Sequence, residues 1–389
     1  MKIKDKEIWC KLNKHEIKQS WHWRKYLKKV VSKVWRLGFY LEDELSCITY
    51  VSKILKGRKT YLELKDGPVF KDFSPWKQNI NDTLRNLESV PGKESEILKL
   101  LSKKAQFELD WNDRKKLIDE LVNYVKALAI REKADFIRFV PQIESGLGVK
   151  KLLLDHGFID SGLYVDKNMT KLIYLRQTQK KILQQANGIF SQIAGTTARV
   201  RQSSTGFKVY CDLDPVKEFL KTLKKKEHQL LKSLMPAFKG LLEEGKISVY
   251  GSDDLGDKFS PVVVGIENAT AKILYPKNYY RFKLNPESFE NSVLLLWNII
   301  RDLKKRRIKY LDLGNLYQKN KVMKRKSGAK GIEVKSSEVE RKRIRITMGD
   351  LKSLIGGTTR ELVNPMDLPI SRSYWLKRLF TFIKWIIFG

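Results

Sequence analysis

The sequence predicts an α/β protein, of the α+β kind, in which two mixed layers of helices and strands follow one another. A chain of 389 residues is long enough for two domains with sizeable cores. Segments with the two-residue period of strands alternate with segments of helical period in both halves of the chain. A separate amphipathic segment, residues 373–389, ends the chain. Together these observations predict two α/β domains and a C-terminal amphipathic helix.

The first half predicts a β-β-β-α-α-β-α-β order after a helical pattern in SWHWRKYLKKVVSKVW. Two strands surround a turn at Glu42–Glu44, and a third strand in KTYLELKDGPVF runs into a Gly-Pro corner. Helices are expected at 75–90 and from Asn112 to about residue 133. The segments ADFIRFV, VKKLLLDHGF and TKLIYL predict a strand, a helix and a strand.

The second half repeats this composition, which indicates a diverged internal duplication. QTQKKILQQANGIFSQI predicts helix and FKVYCD a strand, and the segment from Asp214 predicts helix up to a stop at Gly245. KISVYG, PVVVGIEN and TAKILYP predict a meander of strands. An amphipathic helix in ENSVLLLWNIIRDLKKRRI then leads into the strand KYLDLGN.

Two segments stand apart from the layers. Residues 317–346 are rich in lysine and arginine and lack periodicity, which predicts an exposed basic insertion. On a helical wheel, Lys377, Arg378, Thr381 and Lys384 of the tail occupy about a third of the circumference, and large apolar residues fill the rest. Spanning a membrane needs roughly 20 apolar residues. The pattern instead favours a helix lying in a membrane surface, with a terminal core helix as the alternative.

Composition favours polyanionic partners and a reducing compartment. Lysine and arginine number 77 against 44 acidic residues, a formal net charge of +33. Such an excess attracts nucleic acid or anionic lipid. Cys10, Cys47 and Cys211 show no metal-ligand spacing with the four histidines, so no metal site is expected. The first twenty residues lack the apolar core of an export signal. We expect a cytoplasmic protein, peripheral on the inner face of the cell membrane.

Several stretches together resemble the FemABX family of peptidyl transferases, which build peptidoglycan cross-bridges. QSWHWRKY resembles the family's N-terminal Gln/Trp/Lys helix, and YLELKDGPVF its strand entering a Gly-Pro-Val turn. FIRFVPQI followed by LLLDHGF, and LLLWNIIRDLKKRRIKYLDLGN in the second half, also occur in family order. GDLKSLIGGTTRELVNPMDLPIS resembles the closing Phe-Lys-x-x-Phe-Gly-Gly strand and its Pro-rich return to the first domain.

The resemblance implies two tandem GNAT-like acyltransferase domains with mixed sheets. Residues 1–175, completed by 347–372, would form the first domain and residues 176–316 the second. It also implies transfer of an amino acid from aminoacyl-tRNA to the amine of a lipid II or UDP-linked muropeptide. The acceptor is expected in the first domain and the cleft between the domains. No cofactor is expected besides the aminoacyl-tRNA co-substrate, and the tail would contact the anionic membrane surface. Oligomeric state is left open.

Aminolysis of an activated ester needs no enzymic nucleophile, and the sequence has no GxSxG elbow. What the reaction needs is positioning, loss of an ammonium proton, and a cation near the developing oxyanion. Lys352, the lysine of the resembled Phe-Lys pair, is the expected catalytic residue. The expected substrate-binding residues are Trp23, Lys25, Gly67, Pro68, Arg199 and Leu351. Among them, Lys25 would contact a substrate phosphate, and Arg199 a second phosphate or the tRNA end.

The sequence departs from the family pattern, which keeps two alternatives open. Val140 stands where the family usually has Asp, and residues 276–279 replace a small-residue loop. One alternative is a CoA-dependent GNAT N-acyltransferase, which would hold the pyrophosphate on the turn QIESGLGVKK. The other is a non-catalytic, basic protein that binds RNA and membranes on a transferase scaffold.

Overall fold

The computed structural model describes two compact units, residues 1–165 with 362–389, and residues 166–361. The described residues are 5–13, 16–57, 59–71, 94–141, 149–161, 169–200, 207–223, 225–252, 261–267, 269–275, 281–283, 286–316, 345–347, 355–361, 364–376 and 378–379.

The first unit is built on a seven-stranded sheet. Its strands are β1 (Lys33–Leu41), β2 (Glu44–Lys56), β3 (Lys59–Lys65), β4 (Val69–Phe70), β5 (Phe136–Val140), β6 (Ile159–Asp160) and β16 (Met366–Pro369). They run in the order β1-β2-β3-β5-β16-β6, and β4 pairs with β2. The β3–β5 pair is parallel and the others are antiparallel. The predicted turn at Glu42–Glu44 connects β1 to β2, as expected.

Helices cover the two faces of this sheet differently. The long helix α3 (Glu94–Arg131) and the short α4 (Val149–Asp155) pack on one face, where Leu121, Val125 and Leu153 bury against alternate strand residues. The N-terminal elements cover part of the other face: α1 (Lys6–Leu12), a 3-10 turn (Ile17–Gln19) and α2 (Trp23–Val30). Asp5 caps α1 by accepting hydrogen bonds from the Glu7 and Ile8 amides.

The second unit repeats the plan. Its sheet runs β15-β7-β13-β11-β10-β9-β8, and β11–β13 is its parallel pair. The strands are β7 (Met169–Tyr174), β8 (Phe207–Tyr210), β9 (Ile247–Ser252), β10 (Val262–Glu267), β11 (Thr270–Tyr275), β13 (Tyr310–Leu316) and β15 (Thr358–Glu361). The helices are α5 (Gln179–Gln184), α6 (Gly188–Val200), α7 (Asp214–Thr222), α8 (Lys225–Glu243) and α9 (Pro286–Lys305). Phe190 of α6 and Trp297 of α9 meet in its core.

Two domain boundaries differ from the sequence prediction. β7 pairs with β13 and β15, so residues 166–175 belong to the second unit rather than the first. For the same reason the chain returns to the first unit at residue 362 rather than 347. The expected strand character of TKLIYL is correct, but strand character alone does not say which sheet the strand joins.

Two predicted helices and the basic insertion can be compared with the described residues only in part. The helix expected from Asn112 begins at Glu94, and the helix expected at 75–90 lies outside the described residues. The basic insertion 317–346 is also largely outside them. Its last two residues, Arg345 and Ile346, lie in a strand, β14 (Arg345–Thr347), that pairs with β12 (Arg281–Lys283).

The C-terminal tail begins as a helix on the first unit. Residues 372–376 and 378–379 are helical, and the remaining residues of the predicted tail lie outside the described part. Tyr374 is buried against Phe136, whereas Trp375, Leu376 and Leu379 are each more than half exposed. Within the described residues, no helix is both long enough and apolar enough to cross a membrane.

Candidate functional site

Gln19 brings four of the expected site residues to one end of the first sheet. Its side-chain Nε2 donates to the Lys65 carbonyl at 2.8 Å, and its Oε1 accepts from the Tyr50 amide at 3.0 Å. The Trp9 indole N–H donates to the Gln19 carbonyl at 2.6 Å. Gln19 therefore fixes the entry to α2, with Trp23 and Lys25, beside the corner that follows β3.

The corner itself packs closely on Gln19. A Cβ at Gly67 would lie 2.9 Å from both Gln19 Nε2 and Thr49 Oγ1, so a side chain there would displace this packing. Lys18 Nζ lies 3.3 Å from Asp66 Oδ1, and the Asp66 amide donates to the Val140 carbonyl. Gly67 and Pro68 are both buried. The protein's own packing is thus sufficient to require glycine at position 67.

The two residues on α2 differ in exposure. Trp23 is buried, and its ring lies 5.2 Å from that of Tyr26 in an edge-on contact. Lys25 is exposed at the surface of the same helix. Lys25 is therefore accessible to a solute, whereas Trp23 contributes packing to the helix.

The other expected residues, Arg199, Leu351 and Lys352, belong to the second unit. Arg199 lies in α6, with its side chain outside the described part. Leu351 and Lys352 lie outside the described residues, but the segment that follows them is described. Ile355 is buried in the second core, and a Cβ on Gly356 would overlap the backbone carbonyl of Gln185.

Replacing Gly356 with alanine should therefore destabilise the second unit by about 1–3 kcal/mol, because backbone must move to admit the methyl group. Denaturant unfolding measures this cost. Gly195→Ala is the matched control, since Gly195 lies in α6 with open space around its Cβ position. That variant should gain about 0.5–1 kcal/mol. Equal stabilities for the two variants would contradict the packing at Gly356.

Three charged residues lie side by side on the first sheet, and we call Glu63, Arg138 and Asp367 the charged strip. Glu63 of β3 stands opposite Arg138 of β5, and Arg138 stands opposite Asp367 of β16. Their strand neighbours all belong to the core beneath α3: Leu62, Leu64, Ile137, Phe139, Met366 and Leu368. Because side chains alternate along a strand, the charged strip lies on the other face of the sheet.

Arg138 and Asp367 form a two-pronged ion pair. Arg138 Nε donates to Asp367 Oδ1 and Nη2 to Oδ2, each at 2.8 Å. Asp367 is 1% exposed and also accepts a hydrogen bond from the Tyr374 hydroxyl at 3.2 Å. The rings of Tyr61 and Phe136 lie 5.4 and 5.2 Å from the Arg138 guanidinium. Arg138 is therefore held in position from several sides.

Glu63, by contrast, is a half-buried carboxylate with no hydrogen-bond partner or ion pair in the described part of the chain. Burial raises the pKa of Glu63 above its ordinary value. The charges of Lys65 and Arg138 oppose this rise, and those of Asp66 and Asp367 add to it. A carboxylate with a raised pKa is suited to accept a proton near neutral pH.

The raised pKa of Glu63 has a consequence for stability. Between its unfolded and folded pKa values the native state binds more protons, so stability falls as pH rises through that range. Glu63→Gln should remove this fall and raise the unfolding free energy at neutral pH. Urea denaturation at pH 4 and pH 7 measures the difference. A variant that is less stable than the wild type at pH 7 would contradict the assignment.

The charged strip was missed by the sequence prediction. Its one local signal is a charged residue between two buried leucines in YLELKD, a pattern that also fits any solvent-facing strand position. Among the described residues, no group of three or more His, Cys, Asp or Glu is placed to hold a metal ion.

Comparison with known proteins finds similarity in structure rather than in sequence. No family profile matches the chain, and no curated protein matches it. The crystal structure of FemX is similar over 96% of this chain and 96% of that chain, with a TM-score of 0.60 and 12% identity. A tandem GNAT protein from the clavulanic acid biosynthesis pathway covers 87% of this chain and 83% of its own, with a TM-score of 0.41 and 7% identity. L-PGS from Bacillus licheniformis covers 92% and 89%, with a TM-score of 0.41 and 11% identity.

The match to FemX extends over both units, and each unit contains one seven-stranded sheet with a single parallel strand pair among those described. This confirms the expected tandem arrangement, although the unit boundaries differ. The chain therefore has a Fem-like fold of two tandem units.

Proposed function

We propose that this protein transfers an amino acid from aminoacyl-tRNA to the amine of a peptidoglycan precursor. The observation that supports the proposal most strongly is the Fem-like fold, which matches FemX across nearly the full length of both chains. The net charge of +33 agrees with a polyanionic donor such as tRNA. Lipid II or a UDP-linked muropeptide would be the acceptor.

In this proposal Glu63 removes the proton that the acceptor ammonium must lose before it can attack. The neutral amine then forms a C–N bond to the ester carbonyl, and the C–O bond to the tRNA ribose breaks. The attacking nitrogen loses a second proton as the amide forms, and the ribose oxygen leaves with that proton as a hydroxyl. Glu63 suits this role because it is half-buried, has a raised pKa, and makes no hydrogen bond among the described residues.

The remaining site residues take the roles that the family resemblance implies. Lys352 would stabilise the developing oxyanion, and Lys25 would contact a phosphate of the acceptor. Lys25 is exposed, as that role requires. Arg138 would act as a positioning residue, since its ion pair to Asp367 fixes a positive charge beside Glu63.

The direct test is incubation with a set of labelled aminoacyl-tRNAs and either lipid II or UDP-muropeptide, followed by mass spectrometry of the acceptor. Growth of the acceptor by one amino-acid residue supports the proposal. Acetylation of amines from acetyl-CoA without transfer from any aminoacyl-tRNA would instead favour the CoA-dependent alternative. The turn at 142–148, on which that alternative depends, lies outside the described residues.

The tail offers a test of the proposed membrane contact. Removing residues 375–389 keeps Tyr374, whose ring packs on Phe136, but deletes the exposed Trp375, Leu376 and Leu379. The truncated protein should remain folded and lose co-sedimentation with vesicles containing anionic lipid, to which each basic residue adds about 1 kcal/mol. Circular dichroism checks folding. An unfolded truncation product would identify the tail as part of the core.

A further inference from the structure

Two arginines of the first unit lie close together at the edge of its sheet. Arg36 on the edge strand β1 stands opposite Tyr50, while its neighbours Trp35 and Leu37 belong to the core beneath α3. Arg36 therefore faces the N-terminal elements, where its Cζ lies 3.4 Å from the centroid of the Trp21 ring. Arg24 follows Trp21 by three residues, in the first turn of α2.

Both arginines have buried donors without an acceptor. Nη1 of Arg36 and Nε of Arg24 are shielded from solvent and make no hydrogen bond. Neither side chain forms an ion pair within the part of the chain that the structure describes. Leaving a charged donor buried and unsatisfied is unfavourable, more so than for a neutral group. An acceptor supplied from outside the chain would relieve this cost.

Two other arginines of this unit lie near acidic residues. Arg138 is paired with Asp367, and the charge of Asp110 favours the charged form of Arg114. At Arg36 the neighbouring charge has the opposite effect. Burial lowers the pKa of Arg36, and the positive charge of Arg24 lowers it further. The pair is therefore a concentration of positive charge without a counter-ion from the described residues.

We propose that Arg24, Arg36 and Trp21 form a binding site for a phosphate group. Two guanidinium groups match the charge of a phosphate dianion, and the planar fork of arginine fits its oxygens in pairs. Stacking on Trp21 holds the plane of the Arg36 guanidinium in place. Both side chains are only partly buried, so each keeps an exposed portion beside its shielded nitrogen.

The site is separate from the phosphate contact proposed for Lys25. Successive residues on a helix point about 100° apart, so Arg24 and Lys25 face different directions. The exposed Lys28 extends the positive surface along α2 and would attract an anion from a distance. This inference does not depend on the proposed transferase activity.

Isothermal titration of the full chain with inorganic phosphate and with pyrophosphate, at constant ionic strength in chloride, tests the site. We expect saturable binding that Arg36→Gln weakens by about tenfold or more, the worth of one charged hydrogen bond. Lys29→Gln is the matched control, because it removes the same charge from an exposed position on α2. It should bind as the wild type does.

Further variants allow the phosphate-binding test to be carried out even if Arg36→Gln does not fold. Arg36→Gln loses the stacking on Trp21 and also removes a buried, unsatisfied charge, so its melting temperature without phosphate should stay close to that of the wild type. Should Arg36→Gln fail to fold, Arg24→Gln and Arg36→Lys replace it, and both should also weaken binding. Equal binding by the wild type, Arg36→Gln and Lys29→Gln would overturn the proposal.

Vesicles distinguish the source of the phosphate group. Binding of phosphate or pyrophosphate that is lost in Arg36→Gln supports a small phosphorylated molecule as the ligand. Binding only to phosphatidylglycerol–phosphatidylcholine vesicles, also lost in Arg36→Gln but not in Lys29→Gln, supports a lipid headgroup at the same site. Absence of both forms of binding in the wild type would reject the site.

Discussion

Replacing Asp367 with alanine should lower the unfolding free energy of the first unit by about 3 kcal/mol, the lower end for a broken buried ion pair, because it leaves the half-buried Arg138 charged and without its partner. The two hydrogen bonds of 2.8 Å join β5 to β16, and β16 is the strand by which the chain returns to this unit. Asp367 also accepts from the Tyr374 hydroxyl, so the start of the tail should loosen as well. Urea denaturation measures the loss, and hydrogen exchange read by mass spectrometry should assign it to β5 and β16.

An exposed ion pair provides the control. Lys217 Nζ lies 2.5 Å from Asp214 Oδ1, but both side chains are more than half exposed. Asp214→Ala should therefore change stability by less than about 0.5 kcal/mol. The double variant Arg138→Met with Asp367→Leu should recover much of the loss, since apolar pairs often replace buried ion pairs at little cost. A wild-type denaturation midpoint for Asp367→Ala would contradict the role of the pair.

Most strands of the fold were predictable because each segment shows a strand pattern that is bounded by turn residues. In β1 and β2 the strand pattern is interrupted only at Glu42–Glu44, and Glu42 adopts the positive φ of 52° that a tight turn requires. The start of α3 was placed too late, because Asn112 is a good cap residue that nevertheless lies inside the helix. A cap signal fixes a helix start only when the residues before it cannot continue the helix.

The sites depend on long-range pairing, which local patterns do not contain. Arg138 and Asp367 are 229 positions apart in the sequence, and they meet only because β16 returns to the first sheet. The resemblance to known motifs identified the segments FIRFVP and NPMDLP without identifying this ion pair. Trp23 lies in a recognised motif and was expected to bind substrate. In the structure its ring is buried and contacts that of Tyr26.

The boundary between the two units also depends on long-range strand pairing. The strand β7 reads as the end of the first layer in the sequence, yet its hydrogen bonds go to β13 and β15. Strand propensity depends on the residues of one segment, whereas sheet membership depends on partners more than a hundred positions away. The boundary between the two units therefore depends on which strands pair with β7.

Replacing Glu63 with glutamine should lower turnover of aminoacyl transfer by roughly 10²–10⁴-fold, the usual contribution of a general base. Binding of either substrate should change little, because glutamine keeps the size and polarity of the side chain. The control is Glu120→Gln, the same chemical change at an exposed position of α3. That variant should turn over at the wild-type rate. Steady-state rates with saturating aminoacyl-tRNA and acceptor measure both.

The pH profile separates a proton acceptor from a residue that merely supports the sheet. Since burial raises the pKa of Glu63, the wild-type rate should fall on the acid side with an apparent pKa above that of an ordinary glutamate. Glu63→Gln should lose this acid limb and keep a low, flat rate. A structural role would instead lower the rate at every pH and leave the limb in place. That outcome, or wild-type turnover in Glu63→Gln, would reject Glu63 as the base while leaving the transferase proposal intact, because the wild-type assay tests that proposal separately.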